Sequence, residues 1–156
     1  MSEYLSRHYQ TIDDKGRVVL PGKLRRAAEA ETGTSGDKLQ FYMRDYDGGL
    51  SFYTERAWQP MAEHFLRYSN VDTAPRQEKR RFFMGVEKIG CDKQGRVTIP
   101  PHWREKADIQ TNVVIIGVGD HFEIWSEERF RRLDAERDAL ESAAPQVAPQ
   151  ALGRSA

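Results

Sequence analysis

The sequence contains one short motif twice, and this internal duplication constrains the fold more than any other feature. Residues 12–21 read IDDKGRVVLP and residues 91–100 read CDKQGRVTIP, so an offset of 79 aligns an Asp, a Gly-Arg pair, a Val and a Pro. At the same offset Arg25 matches Arg104 and Ala28 matches Ala107. A repeated unit of this kind indicates that one supersecondary structure is built twice.

A second similarity gives the extent of the two copies. LSFYTERAW at 50–58 resembles FEIWSEERF at 122–130 at an offset of 72, so the first copy holds extra residues, which we place in a loop at 29–37. Half-domains of about 75 residues each have difficulty burying an adequate core alone, so we expect the copies to pack on each other or on other subunits. We assign 1–70 to the first repeat, 71–86 to a connecting helix, 87–142 to the second repeat and 143–156, rich in Pro and Ala, to a disordered tail.

Each copy is predicted to be β-rich with short helices, which is an α+β class. A strand precedes the motif (7–12 and 87–91), another follows it (17–20 and 96–99), and a proline then opens a short helix. A hairpin comes next, with an Asp-Gly-Gly turn in the first copy. Thr54 and Ser126 are expected to cap the closing helices, the first of which Pro60 should disturb. We expect a further helix from Pro75 to Gly85, in which Phe82 and Phe83 are buried.

The motif itself predicts a tight turn that carries an outward-pointing arginine. Asp at the first position and Gly at the fourth suit a type I turn, and the Asp side chain can accept hydrogen bonds from the N–H groups of that turn. The Gly supplies the positive φ of a bulged hairpin. Alternation along the next strand buries Val18 and Leu20, so Arg17 and its counterpart Arg96 face outward. A single turn of this type is usually only a turn with a surface ion pair. Here the flanking pattern is duplicated, which favours a functional role for the motif.

The charge is distributed unevenly although the chain carries 24 Lys and Arg against 24 Asp and Glu. Residues 13–26 hold five basic and two acidic side chains, and residues 76–106 hold nine and four. DNA responds to the local field of such a patch and not to the overall charge. We therefore predict that Arg17 and Arg96 contact bases, and that the other basic side chains near the turns contact phosphates: Lys15, Lys93, Arg25 and Arg104. Asp13 and Asp92 should orient the arginines, since carboxylates repel phosphates.

Other residues suggest no catalytic or metal chemistry. Cys91 aligns with Ile12 and is expected to be a small buried hydrophobe, and the four histidines show no ligand spacing. The motifs bring together neither a pair of carboxylates nor a nucleophile with its base. We therefore expect neither an enzyme nor a cofactor. The RRFF run at 80–83 is interpreted as part of a helix in preference to a nucleic-acid patch. The longest apolar stretch, 113–116, is too short to span a bilayer, so no membrane partner is expected.

The chain resembles the MraZ family over roughly residues 4–140. The resemblance rests on DDKGRVVLP at 13–21 and DKQGRVTIPP at 92–101, reinforced by GVGDHFEIW at 117–125. The wider relatives are AbrB-like domains. For the fold, the resemblance implies a pseudo-two-fold swapped-hairpin (double-split) β-barrel that two tandem AbrB-like repeats build within one chain. The family's DNA-binding signature, Asp-x-x-x-Arg, maps onto Asp13 and Arg17 and onto Asp92 and Arg96.

For function, the resemblance implies a cytoplasmic, nucleoid-associated regulator, usually a repressor. Family members form closed homo-oligomeric rings, octamers or dodecamers, and bind short tandem DNA repeats upstream of their own division and cell-wall gene cluster. Two alternatives stay open at this point: an oligomeric scaffold that does not bind DNA, and an antitoxin-like AbrB protein that acts on a partner through its tail.

Overall fold

A computed structural model describes residues 3–143 of the chain, and it confirms an α+β architecture. The tail assigned to 143–156 lies outside the described residues apart from Ala143. The elements in chain order are β1 (Arg7–Thr11), β2 (Arg17–Val19), α1 (Gly22–Thr32), a short 3-10 turn (Gly36–Lys38), β3 (Gln40–Tyr46), β4 (Gly49–Tyr53), α2 (Glu55–Leu66), α3 (Thr73–Met84), β5 (Val86–Gly90), β6 (Arg96–Thr98), α4 (Pro101–Lys106), β7 (Asn112–Gly117), β8 (Phe122–Ser126) and α5 (Glu127–Ala143).

Six strands form one antiparallel sheet in the order β1-β7-β8-β4-β3-β5, to which the first sequence copy contributes β1, β4 and β3 and the second contributes β7, β8 and β5. The predicted hairpins are both present, as β3–β4 and β7–β8, and β4 pairs with β8 to join them. Asp47 and Gly48 have φ values of 57° and 99°, which is the paired positive φ of a type I′ turn, as the Asp-Gly sequence predicts.

The strands that follow the two motifs pair differently from the prediction. We expected each to fold back on the strand before it as a bulged hairpin. Only the start of that pairing is present: Asp13 N–H donates to the Arg17 carbonyl at 3.1 Å, Asp92 N–H donates to the Arg96 carbonyl at 2.8 Å, and Cys91 forms an isolated bridge with Val97. Beyond the turns, β2 pairs antiparallel with β6 and forms a separate two-stranded sheet. The reason is packing. Val18 and Val97 lie opposite each other in this pair and are both fully buried, so the exchange lets the two copies share one core. A local hairpin would leave each short strand with only its own copy to pack on.

The expected barrel is not formed by the large sheet. Within residues 3–143, its first and last strands, β1 and β5, do not pair with each other, so the sheet is open. The strands β2 and β6, which could have bridged these edges, are three residues long and bond mainly to each other. The buried side chains still form one main core with contributions from both copies, in which Phe52 stacks on Phe122 with ring centroids 5.0 Å apart.

The helices differ from the prediction in three places. α1 continues to Thr32, four residues into the expected loop, because the first residue of that stretch with positive φ is Gly33, at φ 70°. Pro60 lies inside a continuous α2, where Trp58 is buried and packs against Phe82, so tertiary packing offsets the lost backbone hydrogen bond. Phe83 is exposed, since only one face of α3 contacts the protein, and that face presents Phe82.

The predicted helix caps are confirmed: the hydroxyl of Thr54 accepts a hydrogen bond from Ala57 N–H at 3.4 Å, and that of Ser126 accepts one from Arg129 N–H at 3.3 Å. Cys91 is buried as expected, and burial raises the pKa of its thiol, which keeps it neutral. Among the helices of the described residues, none has both the length and the apolar character needed to cross a bilayer.

Candidate nucleic-acid interface

The first motif folds into a turn that is held by the carboxylate of Asp13. Its Oδ1 accepts hydrogen bonds from the N–H groups of Lys15 at 3.0 Å and Arg17 at 2.8 Å, and its Oδ2 accepts one from Nε of Arg17 at 2.6 Å. The carbonyl oxygen of Asp13 accepts from Gly16 N–H at 3.0 Å, and Gly16 has a φ of 84°. The side chain that orders the turn therefore also fixes the direction of the arginine.

The second motif repeats these contacts one by one. Oδ1 of Asp92 accepts from the N–H groups of Gln94 at 2.9 Å and Arg96 at 2.8 Å, and Oδ2 accepts from Nε of Arg96 at 2.7 Å. Gly95 has a φ of 78° and donates to the carbonyl of Asp92 at 3.0 Å. The two turns are thus equivalent in backbone and in the Asp–Arg pair.

Hydrogen bonding keeps both carboxyl groups ionised. The pKa of Asp13 is lowered, chiefly by the hydrogen bond from the Arg17 backbone, with the Arg17 side chain adding to it. For Asp92, partial desolvation acts to raise the pKa, but hydrogen bonds from the backbone and side chain of Arg96 outweigh it and the net pKa is lowered. Each Asp–Arg pair lies at the surface, where the side chains of Arg17 and Arg96 keep 31% and 27% of their area exposed. Part of each guanidinium is therefore open to a second acceptor.

The β2–β6 pair brings the two turns together around a local two-fold axis. Arg17 lies opposite Thr98, and Arg96 lies opposite Val19. The bond from Leu20 N–H to the Gly95 carbonyl (2.9 Å) has its counterpart, at the 79-residue offset, in the bond from Ile99 N–H to the Gly16 carbonyl (2.8 Å).

The outward face of this pair carries both arginines with Val19 and Thr98 between them, and Val19 is 49% exposed. Diagonal neighbours across such a pair are about 7–8 Å apart, so the arginines form one surface. We call this face, with residues 13–17 and 92–96, the turn surface.

Two further arginines cross from one copy to the turn of the other. A β-carbon at Gly16 would lie 2.8 Å from Nε of Arg104, and one at Gly95 would lie 2.5 Å from Nη1 of Arg25. Arg104 Nε also donates to the carbonyl of Ile99 at 2.9 Å. Each turn is therefore supported by a side chain from the opposite copy.

The structure brings all eight predicted site residues to the turn surface or its immediate edge. Sequence reasoning missed the crossing of Arg25 and Arg104, because nothing in the sequence gives the register between copies. The available signal was indirect: a glycine at the same place in both motifs indicates crowding as well as positive φ. Within residues 3–143, no cluster of three or more His, Cys, Asp or Glu side chains is placed to hold a metal ion.

Comparison with known proteins gives a consistent result. The family model described as "MraZ protein, putative antitoxin-like" matches residues 82–149. The transcriptional regulator MraZ of Dictyoglomus turgidum is 33% identical over 140 residues, which is 89% of this chain and 90% of that protein. The transcriptional regulator MraZ of Oleidesulfovibrio alaskensis is 37% identical over 127 residues, covering 81% and 83%. That of Thermomicrobium roseum is 30% identical over 145 residues, covering 93% and 94%. Because this similarity extends over most of its length, the chain belongs to the MraZ family of transcriptional regulators, which is not an enzyme family.

Proposed function

We propose that the turn surface binds double-stranded DNA in a sequence-specific way, through the major groove. That groove is about 12 Å wide and admits a two-stranded β-ribbon. Arg17 and Arg96 would each donate two hydrogen bonds to O6 and N7 of a guanine, a contact that contributes about 1–3 kcal/mol of discrimination. The observation that carries the proposal is that Arg17 and Arg96, each hydrogen-bonded to an Asp, lie on one face of the β2–β6 pair.

The remaining residues take supporting parts. Asp13 and Asp92 occupy Nε of the arginines, which leaves the terminal guanidinium nitrogens to point at a base. Lys15 and Lys93 are exposed at the turn tips and would contact phosphates, which set the register of the protein on the duplex. Arg25 and Arg104 stand beside the turns and can contact phosphate while they support the turn.

The family supplies the biological setting of the proposal. In that setting, the protein represses its own division and cell-wall gene cluster. It binds short tandem repeats upstream of the first gene, in the cytoplasm and on the nucleoid. A ring-shaped homo-oligomer would place several turn surfaces on successive repeats, and the high effective concentration of the second contact would multiply the affinity. Repeats about one helical turn apart would keep these contacts on one side of the duplex.

Two structural assignments belong with this proposal. The exchange of β2 and β6 between the copies is the feature that corresponds best to the swapped hairpins of AbrB-like domains. The division into repeats at 1–70 and 87–142, joined by a helix within 71–86, would then describe duplicated sequence units that fold as one body.

The test measures binding of fluorescent DNA from upstream of the gene by gel shift and anisotropy, over a series of salt concentrations. Arg17→Ala and Arg96→Ala should each weaken binding by about tenfold or more. Arg80→Ala removes an exposed arginine from α3 and serves as the control, since it lies in the RRFF run that we interpret as helix surface.

Unchanged binding by the double variant Arg17→Ala/Arg96→Ala would overturn the proposal. Wild-type protein that binds no DNA at any salt concentration would favour the scaffold alternative, because phosphate contacts strengthen steeply as salt is lowered.

A further inference from the structure

The two helices beside the turns are held in place by different means. α1 has 11 residues, and Leu24 and Ala28 on its inner face are fully buried in the main core. α4 has 6 residues, of which Trp103 is buried. A helix as short as α4 has little stability of its own. Contacts from neighbouring elements must therefore set the position of α4, and with it the position of Arg104.

The C-terminal end of α4 is attached to the tip of the hairpin β3–β4, which belongs to the other copy. Nη1 of Arg129, at the start of α5, donates to the carbonyl oxygen of Gly48 at 2.8 Å and to that of Lys106 at 3.4 Å. The carbonyl of Lys106 lies in the last turn of α4, where carbonyls have no partner within the helix. Nζ of Lys106 also forms an ion pair with Oδ2 of Asp45 at 3.0 Å.

Arg129 contributes more to this attachment than the ion pair does. The side chain of Lys106 is 51% exposed, so its ion pair with Asp45 is worth little. Arg129 is half-buried, and its hydrogen bond to the Gly48 carbonyl joins a charged donor to the backbone, which is one of the stronger kinds of hydrogen bond. The backbone of Arg129 is itself fixed, because its N–H donates to the hydroxyl of Ser126.

The same helix carries the arginine that supports the first turn. Nε of Arg104 donates to the carbonyl of Ile99 at 2.9 Å, and a β-carbon at Gly16 would lie 2.8 Å from this nitrogen. Arg104 lies two residues before Lys106, which is about half a helical turn. A shift of the C-terminal end of α4 therefore moves Arg104 against the turn at 13–17. The turn at 92–96 is supported from α1 through Arg25 and does not depend on α4 in this way.

We propose that Arg129 is a positioning residue for DNA binding. By fixing α4 to the hairpin tip at 45–48, it holds Arg104 and the first turn in the geometry that contacts the duplex. Arg129 acts through Arg104 and makes no contact with DNA. This inference rests on the proposed function of the turn surface, and adds to it that the hairpin tip of the first copy controls the DNA-contacting turn of that copy through α4 of the second.

A double-mutant cycle tests the inference, with affinity for fluorescent DNA from upstream of the gene measured by anisotropy. Arg129→Ala should weaken binding by about threefold or more. The slope of affinity against salt concentration should not change, because no phosphate contact is lost. In the Arg104→Ala background, Arg129→Ala should have no further effect on affinity, because its influence passes through Arg104.

The ¹⁵N–¹H spectrum of the free protein gives a second measurement that needs no DNA. Relative to the wild type, Arg129→Ala should shift the amides at 13–17 and leave those at 92–96 unchanged. Arg132→Ala is the matched control, since Arg132 is exposed three residues further along α5 and its substitution removes the same charge. It should change neither the affinity nor these amide shifts.

Three results would overturn the inference: an equal loss of affinity in Arg132→Ala, additive losses in the double variant, or equal amide shift changes in both turns. Wild-type protein that binds no DNA would overturn the proposed function instead. The amide shifts would then still decide whether Arg129 fixes the first turn.

Discussion

The turn at 13–17 and the turn at 92–96 use the same internal contacts to present different outer surfaces. In each turn an Asp accepts two backbone hydrogen bonds and one from the arginine, with corresponding distances that agree within 0.1 Å. The tips differ, with Asp-Lys in one and Lys-Gln in the other. The comparison indicates that the Asp, Gly and Arg of the motif determine the shape of the turn, while the residues that the motif leaves free give each turn a different exposed charge.

The supports behind the two turns also differ in one respect. At the first turn, a β-carbon on Gly16 would lie 2.6 Å from the backbone carbonyl oxygen of Ile99 as well as near Arg104. At the second, the three atoms nearest to a β-carbon on Gly95 would all belong to the flexible side chain of Arg25. The first turn is therefore packed against backbone and the second against a side chain that can move.

Replacing Gly16 and Gly95 with alanine should show most clearly that the supports behind the two turns differ. Both substitutions place a side chain at positive φ, which costs about 1–2 kcal/mol. Gly16→Ala adds a clash with backbone and should lower the free energy of unfolding by about 3 kcal/mol, whereas Gly95→Ala should stay near the cost of the φ angle alone. Urea denaturation measures both. Gly33→Ala is the control, because Gly33 has a φ of 70° with open space around it. Equal losses at positions 16 and 95 would contradict the difference.

Loss of the crossing arginines should disturb the turn of the opposite copy. Arg104→Ala removes the hydrogen bond to Ile99 and should cost about 1–2 kcal/mol of stability. In the ¹⁵N–¹H spectrum of the Arg104→Ala variant, the amide shift changes relative to the wild type should concentrate at 13–17. Arg25→Ala should shift the amides of 92–96 by a smaller amount. Changes confined to each arginine's own copy would show that the turns are not supported across the two-fold axis.

The smallest effect expected concerns pH. Because the native pKa of Asp13 and of Asp92 lies below the ordinary 3.8, ionisation of these groups stabilises the fold above that value, and the contribution is lost as pH falls through the lowered pKa. Neither turn should therefore change between about pH 5 and 8. NMR titration of the two carboxyl groups checks this, and a midpoint above 3.8 for either would show that its turn lacks the hydrogen bonds described above.

Much of the local structure follows from residue pattern alone. Alternation predicts that Val18, Leu20, Val97 and Ile99 are buried, and the Asp-Gly pair at 47–48 predicts the hairpin turn. The continuity of α2 through Pro60 could not be predicted, because it depends on the packing of Trp58 against the distant residue Phe82. For the candidate site, the sequence predicts eight residues but not how they are shared between the turns.

The amino-acid sequence is enough to predict the duplication, the two Asp-ordered turns and the outward direction of their arginines, since the turns and the arginines depend on neighbours within five residues. Three features become visible only in the folded structure: β2 pairs with β6, Arg25 and Arg104 exchange turns, and the two motifs meet as one surface. Strand register between distant segments is set by how their apolar faces pack in a shared core, and many pairings satisfy the same local pattern.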